Sequence, residues 1–309
     1  MITLTDIAYV RSGVTDLKAA VAFATDIVGL ELVADADPAV AHLRADKRRH
    51  CLTFVEGEAG VLSSGFTVAD ADALAAAETE LENYGITVER GDATGARSRG
   101  VSDYLGFDDP YGNRVELAID QRVWADPVAY TRPVGITEFG HLCLDAPNPR
   151  EAYGFWSSLF SVKVSDWVGQ AACLLRIDAV HHKFALFQGN EPALCHVNFQ
   201  VDSIDDVMRN WHFLVDHGVD IIMGPGRHPT SGSVFIYFQG PDGLTYEYAT
   251  GGRLIHDDDA WTPRVFDPEN TSSIDMWRGP IAPTSRQGQL RVAADIPAPA
   301  APLTAAGLI

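Results

Sequence analysis

Gly226-Arg227-His228-Pro229-Thr230-Ser231-Gly232-Ser233-Val234-Phe235-Ile236-Tyr237-Phe238-Gln239-Gly240-Pro241-Asp242-Gly243-Leu244-Thr245-Tyr246-Glu247-Tyr248 reads as two β-strands joined by a turn at residues 240–243. The first strand carries Tyr237 and the second Glu247, while His228 sits in the loop before them. Glu247 lies among Leu244, Tyr246 and Tyr248, in a strand patterned for burial. A buried carboxylate is costly unless it is paired or holds a metal. The rest of the chain supplies candidates for that partner.

Working outward, the pattern of elements repeats. A strand around Ile7 leads to a helix capped at Thr15-Asp16 and stopped by Gly29. Strands follow near residues 31–33, 41–44, 51–56 and 65–68. A helix capped by Asp70 and ended by Gly85 comes next, then strands near 87–90, 103–108 and 114–118. In the second half a strand over 137–144 precedes a helix opened by Asn148-Pro149-Arg150-Glu151, with an N-cap, a proline and an acid in the first turn. Strands over 182–188 and 196–201 and a helix opened by Ser203 complete the order. Tyr9 aligns with His141 and His50 with His182 at one common spacing. Ser63 with His196 and Glu116 with Glu247 fall within a residue of it. Such self-similarity predicts duplication. Each half holds two βαβββ-like units. The expected fold is therefore α+β, four βαβββ modules forming two open-barrel domains. The expected boundaries are residues 1–120, a linker over 121–134, residues 135–252, and a tail over 253–309. Roughly the last twenty residues, rich in Pro and Ala, read as poorly ordered or as an arm for subunit contact.

The chain has 309 residues, 46% hydrophobic and 21% charged, with a formal net charge of −19. That excess of acid argues against nucleic acid and anionic membrane as partners. No apolar run approaches a membrane span, and no signal peptide is expected. Cys51, Cys143, Cys173 and Cys195 form no C-x-x-C and no zinc spacing, so reduced core thiols in a cytoplasmic protein are expected.

Strand alternation brings the polar residues to single faces. His141, Cys143 and Asp145 share one face, as do His196, Asn198 and Gln200, while Glu247 points opposite to Tyr246 and Tyr248. If these faces line one barrel, two imidazoles and a carboxylate converge as a facial triad that suits non-heme Fe(II).

The second half resembles the type I extradiol ring-cleaving dioxygenases of the vicinal oxygen chelate superfamily. The resemblance lies in Gly140-His141-Leu142, His181-His182-Lys183-Phe184, Cys195-His196-Val197-Asn198-Phe199, Gly226-Arg227-His228, and Tyr237 followed by Glu247. Gly240 departs from the family signature before the proline of the last turn. The resemblance implies His141, His196 and Glu247 as metal ligands and His182 as an acid/base beside the metal. It implies Tyr237 as a hydrogen-bond partner of the ionised catechol oxygen, and His228 as a group that orients substrate or assists proton transfer. It further implies Fe(II), with Mn(II) accepted by the same donors, a catecholic substrate with O2, and a symmetric homo-oligomer. His181 is expected to lie outside the site. Tyr9 and Ser63 stand where the first half would need ligands, so that half is expected to be a metal-free structural copy keeping Glu116. The competing readings are a glyoxalase-like isomerase or lyase of the same superfamily and a metal-free protein that binds aromatic ligands.

Overall fold

The computed structural model describes residues 1–33, 37–282 and the backbone of 290–291. The first half contains β1 (Asp6–Val14), α1 (Leu17–Ala22), β2 (Glu31–Val33), β3 (Val40–Arg44), β4 (Leu52–Glu56), β5 (Gly60–Thr67), α2 (Ala71–Tyr84), β6 (Val88–Arg90), α3 (Ala93–Arg99), β7 (Asp103–Asp108) and β8 (Arg114–Ile119). The second contains β9 (Ile136–Ala146), α4 (Pro149–Leu159), β10 (Lys163–Val168), β11 (Ala172–Arg176), β12 (Phe184–Gln188), β13 (Ala193–Val201), α5 (Ile204–Asp216), β14 (Ile221–Arg227), β15 (Val234–Gln239) and β16 (Thr245–Thr250). Beyond them lie β17 (Arg264–Phe266) and β18 (Leu290–Arg291). The expectation of disorder or a subunit arm for the last twenty residues falls, apart from the backbone of β18, outside the described residues.

The helix starts follow local chemistry. Asp16, Asp70, Asn148 and Ser203 each cap a first turn by accepting a backbone N–H, and Pro149 stands where its missing donor is not needed. Gly85 ends α2 at φ 93°. Several elements escape the sequence pattern, β17 and β18 in the tail among them. The short helix α3 carries Thr94 and Gly95, both poor helix formers. The strand β10 is interrupted by a register shift at Asp166 and pairs with the equally unforeseen β11. The strand β14 contains Gly224-Pro225-Gly226, which reads as a turn; it is tolerated because β14 lies at the sheet edge, where a missing donor leaves no ladder bond unmade. The strand expected over 182–188 begins only at Phe184, leaving His182 in the bend before it.

Two sheets form, and the duplication shows in their order. The first runs β2-β3-β4-β1-β5-β8-β7-β6. The second, taken from its β10 end, runs β10-β11-β12-β9-β13-β16-β15-β14, the same sequence of roles, with β17 added beside β10. Register repeats too. Asn198 opposes both His141 and Glu247, and Tyr237 opposes Glu247, giving one row across β9, β13, β16 and β15. In the first half Tyr9, Gly65, Glu116 and Gly106 form the equivalent row across β1, β5, β8 and β7.

The helical faces of the two sheets share one apolar core. Trp156 and Phe160 of the second half pack near Phe66 and Phe107 of the first, and Phe23 meets Phe238 and Tyr246. The Tyr248 hydroxyl donates to the Val28 carbonyl at 2.8 Å. Helices that pack on the strands of their own half thus also meet side chains of the other, which joins the halves and leaves the opposite sheet faces to curl around polar interiors.

In the first half that interior is filled. Arg99 on α3 clamps both Glu116 oxygens at 2.6 Å, and the Tyr9 hydroxyl donates to Oε2 at 2.8 Å. Gly65 makes room for this contact, because a Cβ there would stand 2.6 Å from the Tyr9 ring. Burial pushes the Glu116 carboxyl up, but Arg99 overrides it and holds the group below its ordinary range. Removing one member of a buried pair leaves an uncompensated charge, so Arg99→Leu is expected to cost about 3–5 kcal/mol in urea unfolding. The double variant Arg99→Leu/Glu116→Leu should recover most of it. A single variant as stable as the parent would show that Arg99 is not the counter-ion on which this half depends.

Candidate metal centre

In the second half the corresponding row is open. β9 presents His141, β13 presents His196 one step along from Asn198, and β16 presents Glu247. Their donor atoms converge. His141 Nε2 lies 2.9 Å and His196 Nε2 3.4 Å from Glu247 Oε2, and the two nitrogens are 3.1 Å apart. Three donors bound at about 2.1 Å on one face of an octahedron stand about 3.0 Å apart. The spacing fits a first-row divalent ion with open positions, and two imidazoles with one carboxylate are the donor set such an ion takes. All three side chains are nearly inaccessible to solvent.

Burial pushes the Glu247 carboxyl up, yet His141 and His196 beside it hold it well below the ordinary range. His141 is itself lowered by burial, with Glu247 opposing the shift. Asn198 donates its Nδ2 to Glu247 Oε2 at 2.9 Å and is in turn held by Gln200 at 2.8 Å, which fixes the carboxylate's orientation. Cys143 is a fourth nearby donor, its Sγ 3.2 Å from His196 Nε2. Burial, with Cys195 and Glu247 nearby, pushes that thiol well up.

The other three residues singled out from the sequence surround the same point. Tyr237 opposes Glu247 on β15 and hydrogen-bonds His228 Nε2 at 3.0 Å. His228 follows β14, stacks on Phe235, and donates Nδ1–H to the Ile274 carbonyl at 2.7 Å. The His182 ring stands 4.3 Å from that of His141. Burial, with His141 and His181 beside it, holds His182 well below the ordinary imidazole range. A cleft opens here, lined by His182, His196, His228 and Tyr237 and walled by apolar side chains such as Leu174 and Phe187.

Two contributors were not legible in the sequence. The backbone carbonyl of Ile274, in the tail, sets the tautomer of His228, and no side-chain pattern signals a carbonyl. His181 does lie outside the cleft, yet its Nδ1 meets His182 Nδ1 at 3.1 Å, because both precede β12 and so do not alternate as strand residues would. Asp166, a carboxylate inside a strand as Glu247 is, was the visible signal for its partner.

The whole chain is similar to known proteins. A relative named biphenyl-2,3-diol 1,2-dioxygenase, from Paraburkholderia xenovorans, is 28% identical over 84% of this chain and 91% of its own. The iron-dependent extradiol dioxygenase of Rhodococcus jostii is 23% identical over 89% of this chain and 96% of its own. Among solved structures, the Mn(II)-bound glyoxalase from Novosphingobium aromaticivorans is 29% identical, with a TM-score of 0.83 over 92% of this chain and 94% of that one. The profile described as Glyoxalase/Bleomycin resistance protein/Dioxygenase superfamily matches residues 6–117 and 138–248, one segment for each sheet. With both halves matched, this chain belongs to that superfamily.

Proposed function

We propose that this protein is a metal-dependent extradiol dioxygenase that opens a catechol ring beside its two hydroxyls, using Fe(II) held by His141, His196 and Glu247. The observation that carries the reading is the placement of His182, Tyr237 and His228 in one cleft against those three donors. An isomerase needs no such set. When bound, the metal would acidify a chelated catechol and let it react with O2.

The chain's own residues account for substrate handling. With His228 Nδ1–H committed to Ile274, the lone pair sits on Nε2 and accepts the Tyr237 proton. A catechol O–H can then pass its proton to the Tyr237 oxygen while the Tyr237 proton moves to His228 Nε2. Tyr237 is left hydrogen-bonded to the ionised catechol oxygen. Its own ionisation is opposed by burial and by Glu247, so it remains a hydroxyl. His182, neutral on the other side, is placed to take or return a proton as the ring opens. Among the described residues the lining of the cleft includes no Lys or Arg; Val168, Leu174, Phe187, Met223 and Ile274 make most of its walls apolar, beside the hydroxyls of Thr230, Ser231 and Ser273. That composition favours a catechol with a neutral, apolar substituent over one with a carboxylate.

In this reading residues 1–120 form a metal-free structural half in which Arg99 takes the place of a metal. Residues 121–134 link it to the catalytic half over 135–252, and the tail over 253–309 buttresses the site through Ile274. Four buried cysteines that form no disulfide among the described residues fit a reducing compartment such as the cytoplasm. No helix among the described residues is long and apolar enough to cross a membrane. A second reading, a Mn(II)-dependent glyoxalase-like isomerase, is favoured by one observation, the 29% identity to a Mn(II)-bound glyoxalase.

The deciding experiment is turnover. Protein purified anaerobically with Fe(II) should convert 2,3-dihydroxybiphenyl in air to a yellow ring-opened product and consume one O2 per molecule. Bound metal with no colour from any catechol, but turnover of a hemithioacetal, would replace the dioxygenase reading with the isomerase. Failure to retain any metal would leave only aromatic-ligand binding. His196→Ala is expected to lose metal and abolish turnover, read by metal analysis and colour. Tyr237→Phe should keep its metal and lose about 10- to 100-fold in kcat. A ring-carboxylated catechol such as 3,4-dihydroxybenzoate should show kcat/KM at least about tenfold below that of 2,3-dihydroxybiphenyl, since a buried charge would go unpaired.

A further inference from the structure

We propose that His181 and Asp166 are a positioning pair that decides which nitrogen of His182 faces the cleft. The kinetic part of this inference rests on the dioxygenase reading; its spectroscopic part does not.

The observation is a buried chain of hydrogen bonds behind the cleft wall. Asp166 on β10 is fully buried, and its Oδ2 lies 2.9 Å from His181 Nε2. His181 Nδ1 lies 3.1 Å from His182 Nδ1. Arg264 on β17 anchors the far end. Its backbone N–H and Nε donate to Asp166 Oδ1 at 2.8 and 3.0 Å, and its Nη2 donates to Oδ2 at 2.5 Å. Trp261 closes the outside with its ring perpendicular to that of His181. Burial pushes the Asp166 carboxyl up, but His181 and Arg264 bring it below its ordinary range.

The direction of each bond follows from what each atom can do. An ionised carboxylate only accepts, so His181 donates Nε2–H to Asp166. Burial holds His181 below the ordinary imidazole range, so it is neutral and its Nδ1 carries the lone pair. That nitrogen then accepts Nδ1–H from His182. The remaining nitrogen of His182, Nε2, is left as the lone-pair atom on the opposite edge of a ring that lines the cleft. Without His181 both tautomers of His182 become available, and half the ring orientations present carbon where the acceptor is needed. Arg264 and Asp166 alone would tie β17 to β10. The bond to His182 is what a purely structural tie does not require.

The test uses the full-length protein loaded with diamagnetic Zn(II) and labelled with 15N-histidine, the His182 signals being assigned by their loss in His182→Gln. Long-range proton–nitrogen correlation should show His182 with its proton on Nδ1. In Asp166→Asn, where the amide can donate to His181 Nε2 and reverse the chain, the proton should move to His182 Nε2. If that variant does not fold, His181→Phe serves the same purpose and should lose the single tautomer. A parent His182 protonated on Nε2, or a tautomer unchanged in the folded variant, overturns the proposal. Kinetics with Fe(II) and 2,3-dihydroxybiphenyl supply the second arm. His181→Phe should lose about 10- to 100-fold in kcat with KM little changed. His181→Asn, whose Oδ1 keeps an acceptor near the position of Nδ1, should recover about tenfold of that loss. Equal loss in both variants, or a loss confined to KM, also overturns it. A parent that turns over no catechol defeats the dioxygenase reading instead and leaves the tautomer measurement to decide this one.

Discussion

A carboxylate on the inner face of a curled sheet must be neutralised, and each half of this chain is built around one. Glu116 and Glu247 occupy the same place in the same register, each at the third position of a row that crosses four strands. In the first half the neutralising charge is covalent to the chain: Arg99 reaches in from α3 and fills the interior with its own guanidinium. In the second half the strand residues around the carboxylate are imidazoles whose Nε2 atoms lie 3.1 Å apart, a spacing that a shared proton or a bound cation stabilises. One architecture therefore yields a closed half and an open half from the choice of residue at a few row positions.

The open half depends on support from within the row and from the tail. Asn198 holds Glu247 from within the sheet, while Ile274 holds His228 and Arg264 holds the Asp166–His181 pair from the tail. Asp275 adds to this by accepting the Arg227 N–H at 2.8 Å, which steadies the backbone before His228. The segment beyond β16 thus reaches both histidines that flank the cleft. Rigid placement matters here because proton transfer demands correct nitrogens at hydrogen-bond distance, and imidazole offers two that differ only in which one carries hydrogen.

Packing explains how the site is both buried and reached. Helices lie on the strands of their own half and meet side chains of the other, so one apolar core joins both halves. The polar faces are then directed away from that core, and the second opens into a cleft with largely apolar walls.

The family resemblance singled out His182, His228 and Tyr237, while by itself the sequence determined the repeat, the helix caps, the turns and the inward facing of His141, His196 and Glu247. Those are readable because capping and strand alternation are local: a residue's face is settled by its neighbours two positions away. Tertiary structure alone decided that Arg99 meets Glu116, that the Ile274 carbonyl meets His228, and that Asp166 stands behind His181. Each joins elements far apart in the chain, and α3, β10 and β17 carry weak or interrupted local signals. Their partners are set by how the sheets close on themselves, a constraint no window of sequence contains.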